Sequence, residues 1–320
     1  MKHTLAEHIE EAEADRVVGH AEGPVPGPRF LILGGMHGNE PAGVEALQQV
    51  FGMMERHGAV VRGTVLGLRA NLPALREGVR YIDEDMNRIW FPRILEQVRG
   101  TPAGELDSSE RRQIKKLLPL IGESALPYGD HGGSPDNILV DLHSFSAEGH
   151  IFAITAPRQN HVDFLSHLHV PMVFGIEESL RGAALRYFQD RGYLTYAFEG
   201  GQHRNDLTVD NTVAALLLAL SKAGIIDSGR LPDFEEYHHH LRRQTRVLPV
   251  KSDLVYQHII QPGDRFRMRP DYRNFQPVKE GEWLASDREG RIVARCDGYL
   301  LMPLYQNQGN DGFFIVRART

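Results

Sequence analysis

The sequence lacks features that mark several large classes of protein. It holds one cysteine, Cys296, so no disulfide can form within the chain and no metal site can consist of cysteines alone. No apolar run approaches the roughly 20 residues that a membrane-spanning helix needs. Residues 1–10 are polar and acidic, whereas a signal peptide requires an apolar stretch. We therefore expect a cytoplasmic protein with no membrane partner.

Positive charge is also scarce. The 320 residues carry a formal net charge of -6 and no long run of lysine or arginine. Such a chain presents no basic surface for nucleic acid or for an anionic membrane. Hydrophobic residues at 41% and charged residues at 24% are ordinary for a globular protein, so composition does not separate an enzyme from a binding protein. A small-molecule partner is the better expectation, and a homo-oligomer stays open.

Short apolar segments alternate with helical patterns through most of the chain. Residues 30–33 predict a buried strand, which a Gly-Gly turn joins to a helix near residues 41–57. Five more strands are predicted, at residues 60–68, 138–143, 151–155, 172–176 and 193–198. A helix follows near residues 208–223. This alternation is typical of an α/β architecture, in which sites form where strand ends meet loops. We expect the Gly/Pro/Asp-rich loop before residue 137 to border such a site.

The composition changes near residue 225. Residues 225–245 are charged and rich in histidine, which predicts a solvated linker that includes His238–His240. From residue 246 onward, short apolar segments between Pro/Gly turns predict a small β-rich domain with Trp283 and residues 313–316 in its core.

The length of the chain also favours one large domain with a smaller one. We therefore divide it into an α/β domain of residues 1–240 and a β-rich C-terminal domain of residues 241–320.

One loop carries residues suited to a metal. Gly34-Gly-Met-His37-Gly-Asn-Glu40 places an imidazole and a carboxylate three residues apart, between a strand and a helix. Catalytic zinc takes three protein ligands and leaves one position for water. His143, at the end of a predicted strand, is the candidate third ligand, and Asp141 lies on the same face of that strand, where it can orient the imidazole.

A histidine and glutamate at this spacing are a weak signal when taken alone. The glycine-rich loop also suggests a phosphate cradle. It lacks, however, both the Gly-Lys-Ser/Thr ending of a P-loop and the Gly-x-Gly-x-x-Gly pattern of dinucleotide-binding proteins. The metal site is therefore the preferred interpretation.

A second segment, residues 69–88, is dense in charges and amides. Arg88 and Asn87 are suited to grip a substrate carboxylate, because a guanidinium offers a planar fork of donors. Arg80 is suited to polarise a carbonyl. An exposed loop held by salt bridges is the alternative for such a stretch.

Three motifs in this order resemble the succinylglutamate desuccinylase and aspartoacylase family, which is related to zinc carboxypeptidases. They are Gly34-Gly-Met-His-Gly-Asn-Glu40, Arg80-Tyr-Ile-Asp-Glu-Asp-Met-Asn-Arg88 and Asp141-Leu-His143. The resemblance implies a zinc carboxypeptidase-like mixed sheet with helices on both faces, plus the small C-terminal β-rich domain. It implies one zinc ion per chain, held by His37, Glu40 and His143. It also implies that Asn87 and Arg88 contact the substrate carboxylate and that Arg80 polarises the carbonyl.

The same resemblance supplies a general base. The family uses a glutamate in a Glu-x-Gly context at the end of a later strand, and Glu199-Gly-Gly201 matches. Glu199 is then expected to take a proton from the attacking water and deliver it to the leaving amine. The implied function is zinc-dependent hydrolysis of the amide bond of an N-acylated amino acid, a carbon–nitrogen bond other than a peptide bond.

One departure from the family concerns specificity. Some members place an arginine ten residues before the catalytic glutamate, where it reads the substrate's side-chain carboxylate, and that position is Gln189 here. Arg181, Arg186 and Arg191 are candidate replacements. The acyl group and the amino acid therefore stay open.

Two other functions also stay open. One is a zinc carboxypeptidase, which needs an open groove for a peptide. The other is a non-catalytic metal-binding or ligand-binding protein of the same fold, which the intact Glu199 and Arg80 argue against.

Overall fold

The computed structural model describes residues 15–122 and 137–319. The strands in these ranges are β1 (Val17–Glu22), β2 (Val25–Gly34), β3 (Arg62–Arg69), β4 (Asn137–Phe145), β5 (Phe152–Thr155), β6 (Met172–Phe174), β7 (Leu194–Gln202), β8 (Lys251–Ile259), β9 (Arg267–Met268), β10 (Gln276–Val278), β11 (Trp283–Asp287), β12 (Gly290–Val293), β13 (Gly298–Leu301) and β14 (Asp311–Ala318). The α-helices are α1 (Ala42–Arg56), α2 (Leu72–Glu77), α3 (Pro92–Gly100), α4 (Ser109–Ile121), α5 (Gln159–Leu165), α6 (Ile176–Ser179), α7 (Ala184–Gln189), α8 (Asp206–Lys222) and α9 (Phe234–Thr245). The expectations for residues 1–10 and for the loop before residue 137 fall outside the described residues.

The strands form one large mixed sheet and one small antiparallel sheet. The large sheet has eleven strands in the order β1-β3-β2-β4-β7-β5-β6-β8-β14-β13-β10, and the small sheet has the order β12-β11-β9. Neighbours from β3 through β2 and β4 to β7 are parallel, whereas β5 is antiparallel to β7. The predicted mixed α/β sheet is confirmed. The six strands predicted between residues 30 and 198 are β2 to β7, and β1 is an edge strand that the prediction lacks.

Alternation along the central strands builds two cores, one on each face of the large sheet. Phe30 and Ile32 of β2 pack on one face with α1 and α8. Leu31 and Leu33 pack on the other face with α3, α4 and α7. Because both faces are covered by helices, the central strands are apolar at nearly every position, as expected of buried parallel strands.

The C-terminal segment contributes strands to both sheets. Some extend the large sheet, and the others form the small one. Strands β8, β14, β13 and β10 continue the large sheet past β6, and β9, β11 and β12 form the small sheet. The boundary predicted at residue 240 falls inside α9, and the division into two domains stays a prediction. Among the described residues, no helix combines the length and apolar character needed to span a membrane.

The interpretation of residues 225–245 as a solvated linker is wrong for the helix that holds the histidine run, although His239 is exposed. Those histidines lie in α9, and His238 is only 8% exposed, with its Nδ1 atom 3.0 Å from Nε2 of His169. Leu241 is buried, and Phe234 and Tyr237 pack against the same core. The apolar residues recur at helical spacing, but the charges and histidines between them hide that pattern.

The expectation for the C-terminal core is correct for residues 313–316, all of which are buried. It is wrong for Trp283, which is only partly buried. The guanidinium groups of Arg269 and Arg291 lie 4.5 Å and 4.4 Å from the centre of its ring, so the indole is covered by cations where an apolar core was expected.

A buried histidine joins α5 to the large sheet. His161 is 1% exposed, and its Nε2 atom accepts a hydrogen bond of 3.1 Å from the backbone N–H of Thr195 in β7. Burial, assisted by the charge of Arg158, lowers the pKa of His161 from 6.5 to about 4. The folded protein therefore holds this imidazole neutral.

This shift predicts how stability depends on pH. In the unfolded chain His161 binds a proton below about pH 6.5, whereas in the folded chain it does so only below about pH 4. The free energy of unfolding therefore decreases as the pH falls through this window. The contribution amounts to about 2 kcal/mol of the free energy of unfolding between about pH 8 and pH 5. His161→Gln, which keeps an acceptor for Thr195, should lose that part of the pH dependence in denaturant titrations. His57→Gln, at an exposed position, should keep it, and equal slopes in the two variants would contradict the assignment.

Candidate active site

Three side chains converge at the end of β2 and β4. The Nδ1 atom of His37 lies 3.0 Å from one carboxylate oxygen of Glu40, and Nδ1 of His143 lies 3.0 Å from the other. One donor atom from each of the three residues falls within 4.8 Å of the others, which is close enough for all three to hold one metal ion. The structure therefore brings together the residues that the sequence suggested as ligands.

The loop that carries His37 is held by a close approach of two backbones. A Cβ atom at Gly38 would lie 1.9 Å from the carbonyl carbon of Ala74 in α2, so only glycine fits there. The Gly38 N–H donates to the carbonyl oxygen of Arg80 at 3.2 Å. This packing fixes the His37 loop against the segment that carries Arg80.

Each imidazole is oriented from its far side by a carboxylate. Asp141, which is fully buried, lies 2.8 Å from Nε2 of His143, as the alternation along β4 predicts. Asp85 lies 3.1 Å from Nε2 of His37. Carboxylates in this position fix the tautomer and ring orientation of a metal-binding histidine, leaving Nδ1 directed at the metal position.

The charges of this group suit a cation. Burial acts to raise the pKa of Glu40, but His37 and His143 outweigh it and hold that pKa well below its usual value. Burial likewise acts to lower the pKa of His143, but Asp141 and Glu40 hold it well above 6.5. The raised pKa favours a proton on the His143 imidazole, beside Glu40, when no metal is bound. A divalent ion bound there must displace this proton, so metal binding and proton release are coupled.

Glu199 lies beside this group. It is the direct neighbour of His143 in the parallel pairing of β7 with β4, and its side chain is 5% exposed. Its Oε2 atom has no hydrogen-bond partner among the described residues. Burial raises the pKa of Glu199 to about 8, although the nearby charge of His143 lowers it. Such a carboxyl group is able both to take up and to give back a proton near neutral pH.

The two glycines after Glu199 have a packing role. A Cβ atom at Gly200 would lie 2.5 Å from the hydroxyl oxygen of Thr212 in α8, and Gly201 has a φ angle of +139°. These residues let α8 pack closely against the end of β7. The Glu-Gly-Gly sequence therefore combines a reactive group with the close helix packing that holds it.

The three other predicted site residues line the same cavity. Arg80 donates to Asp85 at 3.0 Å, and its Nη1 atom lies 3.5 Å from Glu40. Burial acts to lower the pKa of Arg80, but the charges of Asp85 and Glu40 raise it, so the guanidinium keeps its charge.

Asn87 is engaged at both ends of its amide group. Its Oδ1 atom accepts from the backbone N–H of Ala184 at 2.9 Å, and its Nδ2 atom donates to Asp141 at 3.3 Å. Arg88 forms an ion pair of 2.5 Å with Asp311, at the start of β14. The structure thus surrounds both residues with partners that the sequence did not suggest.

The cavity encloses about 820 Å³, counting the part open to solvent. Residues 302–311 of the C-terminal segment close one side of it through Met302, Leu304, Gln306, Gly309 and Asp311. The loop is tied down by hydrogen bonds between the side chain of Gln308 and the backbones of Arg80 and Tyr81.

A family model, the succinylglutamate desuccinylase/aspartoacylase catalytic domain, matches residues 26–212. The chain belongs to this family. It is 29% identical over 178 residues to a succinylglutamate desuccinylase of Photorhabdus laumondii, an alignment that covers 52% of this chain and 51% of that protein. It is also 29% identical over 304 residues to a probable aspartoacylase of Prochlorococcus marinus, covering 88% of each chain.

A solved structure supports the fold. The crystal structure of a succinylglutamate desuccinylase/aspartoacylase from Rhodobacter sphaeroides superposes with a TM-score of 0.65 at 17% sequence identity. The alignment covers 94% of this chain and 88% of that chain. At this identity the likeness concerns the fold alone.

The structure shows what stands near the position where some family members have an arginine. Gln189 is 5% exposed and does not line the cavity. The three arginines considered as replacements, Arg181, Arg186 and Arg191, do not line it either. Leu180, Leu185 and Glu177 form that part of the wall. None of the three candidate arginines therefore reaches the cavity in this structure.

Several residues of the site were not identified from the sequence. Asp85 lies within the second family motif, so the motif itself was a signal for it. His203 contacts the Ser144 hydroxyl through Nδ1 at 2.8 Å and the Gln306 side-chain oxygen through Nε2 at 3.0 Å. In the sequence it comes shortly after the Glu199 motif. Gln306 and Asp311 lie in the C-terminal segment, where no motif points to the site.

We predict that His143→Ala loses stoichiometric zinc. Removing a ligand should weaken binding by more than the roughly 10- to 100-fold that is typical for loss of an orienting residue. Zinc per chain after dialysis, measured by mass spectrometry, checks this. His239→Ala, at an exposed position in the histidine run of α9, is the matched control for adventitious binding and should retain zinc. Full retention of zinc by His143→Ala would remove His143 from the ligand set.

Proposed function

We propose that the protein is a zinc-dependent hydrolase that cleaves the amide bond of an N-acylated amino acid. The observation that carries the proposal is the buried carboxyl group of Glu199, which lies beside His143 and has an oxygen atom that no described residue contacts by a hydrogen bond. A structural glutamate would be expected to have its oxygens satisfied. Membership in a family of N-acyl amino acid deacylases supports the same reaction class.

The donor set supports zinc as the metal. Two imidazole nitrogens and one carboxylate oxygen are a combination found in catalytic zinc sites, with a fourth position left open. Held by His37, Glu40 and His143, zinc would supply Lewis acidity to the substrate carbonyl and to a water molecule. The same ligands accept other divalent ions, so the structure shows three converging donor atoms and the identity of the ion as zinc is part of the proposal.

Proton transfer is assigned to Glu199. In its ionised form the carboxylate takes a proton from the attacking water, and in its protonated form it donates that proton to the nitrogen of the leaving amine. The burial that raises its pKa to about 8 keeps the two forms close in free energy near neutral pH. One group therefore serves as base in the first step and as acid in the second.

The arginines are assigned to the substrate's oxygens. Arg80 lies 3.5 Å from Glu40 and is held by Asp85, so its charge is fixed where negative charge develops on the carbonyl oxygen. Arg88 is assigned to the substrate's carboxylate, with Asp311 holding its guanidinium in place. Asn87 is retained as a substrate contact, although its amide already joins Asp141 to Ala184.

The shape of the cavity favours a small substrate over a peptide. The loop of residues 302–311 covers one side, so the site is a pocket. A carboxypeptidase needs an open groove at this position, because its peptide substrate is longer. A non-catalytic binding protein has no need for the buried Glu199 carboxyl group. The cytoplasmic location and a homo-oligomer stay predictions from the sequence.

We predict that Glu199→Gln lowers kcat by about 10²- to 10⁴-fold, the usual contribution of a general acid–base group. Zinc per chain should stay unchanged, because the variant keeps all three ligands. The measurement is amine release from N-acetyl and N-succinyl amino acids by zinc-loaded protein. Glu55→Gln, in the exposed part of α1, is the matched control and should retain wild-type rates.

Unchanged turnover in Glu199→Gln would eliminate Glu199 as the base. Absence of turnover across the panel by the wild type, with zinc bound, would shift the proposal to peptides or to a non-catalytic role.

A further inference from the structure

The part of the cavity beyond the metal group lies over the face of the large sheet and is mainly apolar. Its floor is formed by Ala197 of β7, Ile154 of β5 and Phe314 of β14. Leu180 and Leu185 form a wall beside α7. These surfaces suit an apolar chain and offer few partners to a polar one.

Glu177 is the exception in this apolar wall. It lies in α6, is 2% exposed, and lines the same cavity as the metal group. Its Oε2 atom accepts a hydrogen bond of 2.8 Å from the backbone N–H of Gly175. Its Oε1 atom is buried and has no hydrogen-bond partner in the part of the chain that the structure describes. A buried carboxylate oxygen without a hydrogen bond raises the free energy of the folded protein. A donor group on the bound substrate would remove that penalty.

Glu177 forms no ion pair with any cation of the described ranges, residues 15–122 and 137–319. Among the described residues that line the cavity, the arginines are Arg80 and Arg88, and each already contacts a carboxylate. Burial raises the pKa of Glu177 to about 7, although its backbone hydrogen bonds and the charge of Arg186 act to lower it. Glu40, Glu199 and Asp311 also line the cavity, so a substrate with an additional anion is poorly suited to it.

We propose that Glu177 binds a positively charged amino group at the end of an apolar side chain of the substrate. The substrate class is then an N-acyl derivative of a basic amino acid, which deepens the proposed function and rests on it. The cation would pair with the free oxygen of Glu177, and the methylene groups would contact Ile154, Leu180 and Leu185.

The position of Glu177 fits the amino-acid end of the substrate. Arg88, the residue assigned to the substrate carboxylate, lies against Gly182, and Glu177 belongs to the helix that directly precedes residues 180–185. That segment is fixed to the Arg88 turn, since the N–H of Trp90 donates to the carbonyl oxygen of Gly182 at 2.9 Å. One amino acid can therefore place its carboxylate at Arg88 and its side chain toward Glu177.

The separation along the sheet fits a long side chain. Strand β6, which precedes Glu177, is three steps from β4 in the order β4-β7-β5-β6. Each step is about 4.8 Å, so the two strands lie on the order of 14 Å apart. A side chain of several methylene groups is needed to approach Glu177 from the metal group.

The first test compares kcat/KM for four substrates that share one chain length and differ at its end. They are the Nα-acetyl derivatives of L-lysine, L-norleucine, L-6-hydroxynorleucine and L-2-aminoadipate. The wild type should prefer the lysine compound over norleucine by about 10- to 100-fold, the range expected for one hydrogen bond to a charged group. The aminoadipate compound should be the poorest substrate.

The variant Glu177→Gln keeps the side-chain volume and an acceptor for Gly175 but removes the charge. Its preference for lysine over norleucine should fall to near one. Glu178→Gln is the matched control, because Glu178 is the adjacent residue of the same helix and is exposed. It should keep the wild-type preference. Equal use of the hydroxynorleucine and lysine compounds, or a preference for aminoadipate, would overturn the proposal.

A binding measurement separates this inference from the proposed function. Isothermal titration of the zinc-loaded protein with free L-lysine and L-norleucine, the corresponding amine products, does not require turnover. Tighter binding of lysine that Glu177→Gln abolishes would support the role of Glu177 even if no acetyl compound is hydrolysed. Hydrolysis of the panel with equal binding of the two amino acids would refute that role and leave the deacylase reaction standing.

Discussion

The structure depends on the parallel pairing of β2, β4 and β7. Because parallel strands end at the same edge of a sheet, this pairing carries His143 and Glu199 to the position where the His37 loop leaves β2. The carboxylate of Glu40 then joins the two imidazoles from its place just before α1. His37, Glu40 and Glu199 are buried at this edge, which strengthens the charge interactions among them.

The local parts of the site were predictable from the sequence. His37 and Glu40 lie in one short loop, so their spacing fixes their proximity without any knowledge of the fold. His143 lies 103 residues from Glu40, and it could be placed because an apolar strand ending in a histidine points to the same sheet edge. Asp141 followed from the alternation of side chains along that strand. In each case a short-range pattern was sufficient.

Other features depend on contacts that no local pattern encodes. Arg88 meets Asp311 across 223 residues, because the C-terminal segment returns to extend the large sheet past β6. The absence of Arg181, Arg186 and Arg191 from the cavity depends on how residues 180–191 turn around α7. The histidines of α9 looked like a solvated linker because their polarity hid the helical spacing of Phe234, Tyr237 and Leu241. Burial of Glu177 likewise follows from tertiary packing.

The central claim is that His37, Glu40 and His143 hold one zinc ion beside Glu199. It is tested most directly by an anomalous difference map, calculated from crystals of the zinc-loaded protein with data collected on both sides of the zinc absorption edge. The account predicts one strong peak per chain at about 2.0–2.2 Å from the Nδ1 atoms of His37 and His143 and from a carboxylate oxygen of Glu40. A peak elsewhere, such as at the histidines of α9, with none between these three residues, would contradict it.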